Sequence, residues 1–219
     1  EDGERAKEYV ITRDIIKIQI LETEARADGV FVIKLNHFTE TAAFEFRKAV
    51  QEFLNSGSKK IILDLRNNPG GFLAIAVDIA SWWVGPGDTV ARERFADGKE
   101  ELYRSSGYRL LENAPTVILV NEGSASASEI VAGALRDHKA IKLVGMKTFG
   151  KGSVQEVVQL PGNSSLKITI AKWLTPKGSE IDGKGLEPDI KVEIPEKPKG
   201  GEENKDFIME KGIEVLNGL

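Results

Sequence analysis

Three serines stand at alternate positions, 124, 126 and 128, in the stretch Val120-Asn121-Glu122-Gly123-Ser124-Ala125-Ser126-Ala127-Ser128-Glu129-Ile130. This stretch joins a predicted buried strand to a predicted helix. A serine hydroxyl at the positive end of a helix can act as a nucleophile, because the backbone N–H groups there also stabilise an oxyanion. Ser126 and Glu129 equally match a capping box, Ser-x-x-Glu before an apolar helical run. The two interpretations are compatible, but a nucleophilic hydroxyl needs a base.

Histidine is one candidate for that base, and the chain contains His37 and His138. His37 follows a predicted strand in a polar turn. His138 stands where the helix after Ser126 is predicted to end, and an imidazole there is an ordinary partner of the helix dipole. A Ser/His/Asp arrangement is therefore weakly supported.

A lysine base is better supported, because Lys151 lies between two glycines just after a predicted buried strand, in Gly145-Met146-Lys147-Thr148-Phe149-Gly150-Lys151-Gly152-Ser153. A lysine held stiffly and partly desolvated can give up its proton near neutral pH. Lys147 is a rival in the same segment, and either lysine also fits an ordinary solvated turn. The segment nearly matches a P-loop, but Gly152 stands where Ser or Thr is required, so nucleotide binding is not expected.

A glycine pair ends a third stretch, Asp64-Leu65-Arg66-Asn67-Asn68-Pro69-Gly70-Gly71. Asn, Pro and Gly are typical turn residues, so a plain turn explains the stretch. The amides of Gly70 and Gly71 are alternatively oxyanion donors. Spacing alone does not choose between the two.

The bulk properties of the 219-residue chain limit the classes of function. A net charge of −4, with no basic cluster interleaved with aromatics, makes nucleic acid an unexpected partner. The absence of cysteine excludes disulfides, thiolate catalysis and Cys-based metal sites, and no metal or cofactor is expected. No apolar run reaches the roughly 18 residues of a membrane span. The chain starts without Met or a signal-peptide pattern, so we expect an excised fragment.

Hydrophobic periodicity predicts strands that alternate with helices, and hence a mixed α/β fold with a partly parallel sheet. A hairpin with its turn at Pro161-Gly162-Asn163 is predicted after Gly152. In the first helix, Phe44, Ala49, Val50 and Phe53 are expected to recur on one face. The predicted strands are residues 15–20, 30–35, 60–65, 116–120, 142–144, 154–160 and 166–174. The first predicted helix begins at Thr39 or Glu40 and ends near Ser56. The other predicted helices cover residues 72–84, 127–137 and 206–216.

Taken together, the Asp64–Gly71 stretch, Gly123–Ile130 and Thr148–Gln155 closely resemble the motifs of the carboxyl-terminal processing peptidases, also called tail-specific proteases or peptidase family S41. The resemblance runs from about Tyr9 to Pro188, with the three motifs in the family's order.

The resemblance implies that Ser126 is the nucleophile, that Lys151 is the general base and that Gln155 orients the lysine. The implied oxyanion donors are the backbone amides of Gly70 or Gly71 and of Ala127. Asp137 matches an acid described as accessory in some members, although it equally suits a polar contact at a helix end.

The implied fold is the spiral ββα core of crotonases and Clp-type peptidases, with further β-strands from the N- and C-terminal segments. Residues 1–14 are then a remnant of the last strand of a PDZ domain and its exit linker. Residues 15–194 are the Ser/Lys peptidase core, and residues 195–219 are a linker and a C-terminal helix.

The implied function is that of a serine endopeptidase that cleaves polypeptides near accessible C-termini through an acyl-enzyme. The resemblance implies an extracytoplasmic location, in the periplasm or the cell envelope, and is compatible with a homo-oligomer. The alternatives are a catalytically silent module that binds a ligand or peptide, and crotonase-type acyl-CoA chemistry.

Overall fold

The structure, a computed structural model, describes residues 9, 12, 19–195 and 205–219. Three predictions fall wholly or mostly outside these residues: the PDZ remnant at residues 1–14, the strand at residues 15–20 and the linker that begins at residue 195. Among the helices that the structure does describe, none has the length and apolar character that crossing a bilayer requires.

Ten strands and four helices make up the described part of the chain. The strands are β1 (Leu21–Ala25), β2 (Val30–Leu35), β3 (Lys60–Asp64), β4 (Thr89–Phe95), β5 (Glu100–Arg104), β6 (Thr116–Val120), β7 (Lys142–Gly145), β8 (Ser153–Leu160), β9 (Ser164–Leu174) and β10 (Ile190–Lys191). The helices are α1 (Ala42–Ser56), α2 (Leu73–Ala80), α3 (Ala127–Lys139) and α4 (Phe207–Asn217).

The larger sheet has the strand order β1-β2-β3-β6-β7-β10, and all its pairs are parallel except β1 with β2. The predicted mixed α/β fold with a partly parallel sheet is therefore confirmed. The carboxyl ends of parallel strands meet at one edge of a sheet, which is where α/β proteins place their ligand sites. The segments that leave β2, β3, β6 and β7 at this edge include His37, the Asp64–Gly71 stretch, Ser126 and Lys151.

Apolar side chains cover both faces of this sheet. On one face they pack against α1, α2 and α3, and on the other against α4. In β6 all five residues are buried, as a strand covered on both faces requires. The central strands are thus held rigidly, and the turns at their carboxyl ends start from fixed points.

Three details of the predicted helices are wrong. Helix α1 begins at Ala42, after Thr41, and Phe44 is 59% exposed instead of buried. The buried face instead uses Phe46, because a residue two positions away in a helix points to the opposite side. Helix α2 ends at Ala80, and residues 81–84 continue as a turn and not as helix.

The smaller sheet has the order β5-β4-β9-β8 and contains the predicted β8–β9 hairpin. Strands β4 and β5 were not predicted, because charged residues occupy their sequence. Glu93 of β4 is buried, and Tyr103 of β5 donates a hydrogen bond to it across the pair (2.6 Å). This hydrogen bond and burial raise the pKa of Tyr103 to about 12, with burial the larger cause. A charged residue at a core-facing position interrupts the alternation of apolar and polar residues from which a strand is predicted.

Helix α4 offers a test of how the second face of the larger sheet is covered. Leu216 is fully buried there, so Leu216→Ala should lower the free energy of unfolding by about 2 to 4 kcal/mol through the cavity that it leaves. Leu219→Ala is the control, since Leu219 is 66% exposed, and it should change that free energy by less than about 0.5 kcal/mol. Urea unfolding measures both variants, and equal values would show that α4 is not packed on the sheet.

Candidate active site

Ser126 occupies the turn between β6 and α3 with φ 55° and ψ −114°. A non-glycine residue at positive φ is strained, and such residues persist only where their surroundings fix them. The flanking residues supply that constraint, because the Ala125 N–H donates to Asn68 O (3.0 Å) and the Ile130 N–H donates to Ser126 O (3.0 Å). The turn places Ser126 at the N-terminus of α3, as the sequence predicted.

The two neighbouring serines differ from Ser126 in burial and bonding. Ser124 and Ser128 are both fully buried. The Ser124 hydroxyl donates to Leu65 O (2.8 Å) and the Ser128 hydroxyl donates to Asn68 O (2.9 Å). Both therefore fasten the turn to the segment that follows β3, and Ser126 is the serine of the three that is partly exposed.

Glu129 connects the two sequence segments that carry Ser126 and Lys151. Its carboxylate is fully buried and accepts four hydrogen bonds. Oε2 accepts from the backbone N–H of Ser126 (2.9 Å) and of Lys151 (3.0 Å). Oε1 accepts from Thr148 Oγ1 (2.5 Å) and from the Gly150 N–H (2.8 Å). Glu129, which the sequence indicated only as part of a helix cap, thus fixes the position of the segment that carries Lys151.

Lys151 and its rival Lys147 have different surroundings. Lys147 forms an ion pair with Glu187 (2.7 Å). The sequence predicted a stiffly held, partly desolvated lysine at position 151. In the structure its backbone N–H is bonded to Glu129, but its side chain is exposed. Within the described part of the chain, no hydrogen bond joins Lys151 Nζ to Ser126 Oγ, and none joins Gln155 to Lys151. The orienting role of Gln155 stays a prediction.

Gly70 lies against the Ser126 turn, whereas the next residue, Gly71, lies against Phe38. A Cβ atom added at Gly70 would stand 2.8 Å from Ser126 Cβ and 2.9 Å from Ala127 N. The close approach of the segment after β3 to the Ser126 turn therefore requires glycine at position 70. The Gly70 N–H is already bonded to Asn68 Oδ1 (2.9 Å). The amides of Gly71 and Ala127 have no hydrogen-bond partner among the described residues. The oxyanion role of Gly70, Gly71 and Ala127 stays a prediction.

A cavity of about 500 Å³ opens beside this turn. Small or apolar residues form much of its wall, together with one imidazole and one ammonium group. Its lining residues are His37, Asn67, Pro69, Gly123, Ala125, Phe149 and Lys151. In the described residues, no group of three or more His, Asp or Glu side chains is arranged to hold a metal ion. Residues from all three sequence stretches singled out above therefore line this cavity.

The remaining candidate residues are divided between this cavity and the far end of α3. His37 lines the cavity, which its position in a polar turn did not reveal. His138 Nε2 instead contacts Thr89 O (2.6 Å). Asp137 accepts a hydrogen bond from the Lys177 N–H (2.9 Å), roughly 16 Å along the helix from Ser126. Asp137 therefore makes the helix-end contact that was its alternative interpretation.

Glu129 also provides a test of the site's construction. Glu129→Gln replaces one acceptor oxygen with a donor NH₂ group, so at least one buried donor loses its partner. The expected loss in the free energy of unfolding is about 2 to 4 kcal/mol, measured by urea unfolding. Glu122→Gln, at an exposed residue of the same turn, should leave that free energy within about 0.5 kcal/mol of the original. A small loss for both variants would contradict the role assigned to Glu129.

Comparison with known proteins adds information that is independent of this geometry. The model of peptidase family S41 matches residues 29–192. The carboxy-terminal processing protease CtpA of Bacillus subtilis (strain 168) is 36% identical over 189 residues, which cover 86% of this chain and 40% of that protein. A Staphylococcus epidermidis protein named "Probable CtpA-like serine protease" is 41% identical over 194 residues, covering 88% of this chain and 39% of that protein.

Among solved structures, the photosystem II D1 C-terminal processing protease superposes with a TM-score of 0.76 at 31% identity. The match covers 83% of this chain and 50% of that one. The chain spans about two fifths of the length of the two sequence relatives named above. The family model covers well over half of the chain, and the folds agree. The chain therefore belongs to peptidase family S41.

Proposed function

We propose that the chain is the catalytic core of a serine endopeptidase that cleaves polypeptides near their C-termini. In this proposal Ser126 is the nucleophile and Lys151 the general base, and the reaction passes through an acyl-enzyme. The names of the relatives support the proteolytic class, since they are carboxy-terminal processing or serine proteases.

The pairing of Ser126 with Lys151 is supported by one observation: both residues are bonded to the same carboxylate oxygen, Glu129 Oε2. Because Glu129 Oε2 accepts from both backbone amides, the nitrogens of Ser126 and Lys151 lie within about 6 Å of each other. The flexible four-carbon stem of a lysine can span that separation by changing rotamer. The backbone therefore already supports an encounter between Lys151 Nζ and Ser126 Oγ.

The steps follow from these positions. Ser126 Oγ attacks a peptide carbonyl in the cavity while Lys151 Nζ accepts its proton. The amides of Gly71 and Ala127 donate hydrogen bonds to the oxyanion that forms. Collapse of this intermediate breaks the peptide bond, and Lys151 returns the proton to the leaving amine. Lys151 then takes a proton from water, and the hydroxide attacks the acyl carbonyl. When the ester bond to Ser126 Oγ breaks, Lys151 returns this proton to Oγ, which releases the carboxylic acid product and restores both residues.

Lys151 must be neutral to accept a proton, and its side chain is exposed in this structure. A polypeptide bound in the cavity would exclude water from the lysine and so favour its neutral form. Substrate binding then contributes to activating the base. The extracytoplasmic location and the homo-oligomer stay predictions.

A hydrolysis assay with an unstructured polypeptide substrate tests the proposal. Ser126→Ala and Lys151→Ala should each reduce kcat by about 10³-fold or more, because each removes one half of the reacting pair. Lys147→Ala is the matched control, since that lysine is ion-paired on the same segment, and its kcat should stay within about threefold. A fluorophosphonate probe should label the unsubstituted chain but not Ser126→Ala.

Three outcomes would contradict the proposal. Undiminished cleavage by Ser126→Ala or by Lys151→Ala removes that residue from its role. A larger loss with His37→Gln than with Lys151→Ala moves the base to the imidazole that lines the same cavity. Failure of the probe to label the unsubstituted chain favours a silent binding module.

A further inference from the structure

Phe149 presents an aromatic ring to solvent from a rigid segment. The residue is 68% exposed. Its N–H donates to Ser124 O (3.0 Å), and both of its neighbours, Thr148 and Gly150, are bonded to Glu129. The backbone is therefore held in place, and the ring cannot be withdrawn into the core without breaking these bonds. Packing within the described structure does not explain a large apolar side chain here.

Phe149 lines the cavity that is also lined by Ala125, the residue before Ser126. Pro69 and Ala125 contribute apolar surface to the same wall, and Lys151 follows Phe149 by two residues. Ligand sites are commonly lined by aromatic and aliphatic side chains, with a few polar groups that fix orientation. An aromatic side chain held at such a wall is suited to contact an apolar group of a ligand.

We propose that Phe149 is a specificity-determining residue that contacts an apolar side chain of the bound polypeptide beside the carbonyl attacked by Ser126. This inference rests on the proposed function and names the substrate class of the same site. The contact removes the ring from water and covers the segment that carries Lys151. Polypeptides with an apolar residue next to the cleaved bond are thus bound more tightly than those with a polar residue of similar size.

Two fluorogenic peptides that differ in one residue before the cleaved bond, Val or Thr, test the contact. Phe149→Ala should raise KM for the Val peptide by about tenfold and for the Thr peptide by less than about threefold, with kcat changed by less than about threefold for both. Phe149→Leu keeps an apolar side chain and should restore most of the preference for Val. A change in KM and not in kcat distinguishes a binding contact from damage to the reacting pair.

Phe44→Ala is the matched control. Phe44 is 59% exposed on α1, carries Lys48 Nζ over its ring (4.3 Å) and does not line the cavity. Its substitution removes an exposed aromatic ring and should leave KM for both peptides unchanged. Equal changes in KM for the two peptides, or equal effects of Phe149→Ala and Phe44→Ala, would overturn the proposal.

Binding of the same peptides to Ser126→Ala, followed by fluorescence anisotropy, separates this inference from the proposed function. If the unsubstituted chain cleaves neither peptide, but Phe149→Ala in the Ser126→Ala chain still weakens Val-peptide binding selectively, the proposed chemistry fails and the contact stands. If cleavage depends on Ser126 and Lys151 while Phe149→Ala changes neither KM nor binding, the contact fails alone. Absence of any peptide binding to Ser126→Ala overturns the contact as well.

Discussion

The buried carboxylate of Glu129 is the constraint on which the rest of the site depends. A charge removed from water is costly unless hydrogen bonds replace the lost hydration. Glu129 receives four of them, three from backbone amides, and it also lies in the first turn of α3, where the helix dipole favours a negative charge. Because the donors come from the turn that precedes α3 and from the segment after β7, the carboxylate can remain buried only if these two parts of the chain keep their relative positions.

A second constraint is the conformation of Ser126. Positive φ at a non-glycine residue costs on the order of 1 to 3 kcal/mol, and the hydrogen bonds of Ala125, Ser124 and Ser128 to the segment after β3 offset that cost. Gly70 lets the same segment approach the turn closely. The strain is therefore maintained by parallel strands whose ends are adjacent, and the fold of the larger sheet is a condition for the geometry of the serine.

The sequence was most informative where local pattern decides structure. Strand β6, helix α3 and the β8–β9 hairpin follow from apolar runs, a capping motif and turn residues, and the mixed α/β prediction built on them was right. Charged strands such as β4 were missed because the core position of Glu93 depends on Tyr103, a partner ten residues away. The local sequence pattern therefore did not reveal these strands.

The same limit applies to the site. The capping-box pattern correctly linked Glu129 to Ser126, three residues away. It gave no sign of the bonds from Glu129 to Thr148, Gly150 and Lys151, which are 19 to 22 residues further on and depend on the pairing of β6 with β7. Likewise, the ion pair between Lys147 and Glu187 joins residues 40 positions apart and was not visible in the local sequence pattern. The assignment of Lys151 as the base of Ser126 came from the resemblance to the family motifs and stays a proposal.

The separation between Lys151 and Ser126 in this structure follows from the same arrangement. Both backbones are bonded to one oxygen, which keeps their nitrogens within about 6 Å of each other. In the proposed mechanism, a change of side-chain rotamer then brings Nζ to Oγ. An exposed lysine is well hydrated, and that hydration opposes contact with a neutral hydroxyl. In the proposed reaction, a polypeptide that fills the cavity displaces this water from Lys151, which lines the cavity, and so weakens that opposition. In the proposed mechanism the backbone therefore sets the distance between the two residues, and binding of a polypeptide favours the lysine rotamer that closes this distance.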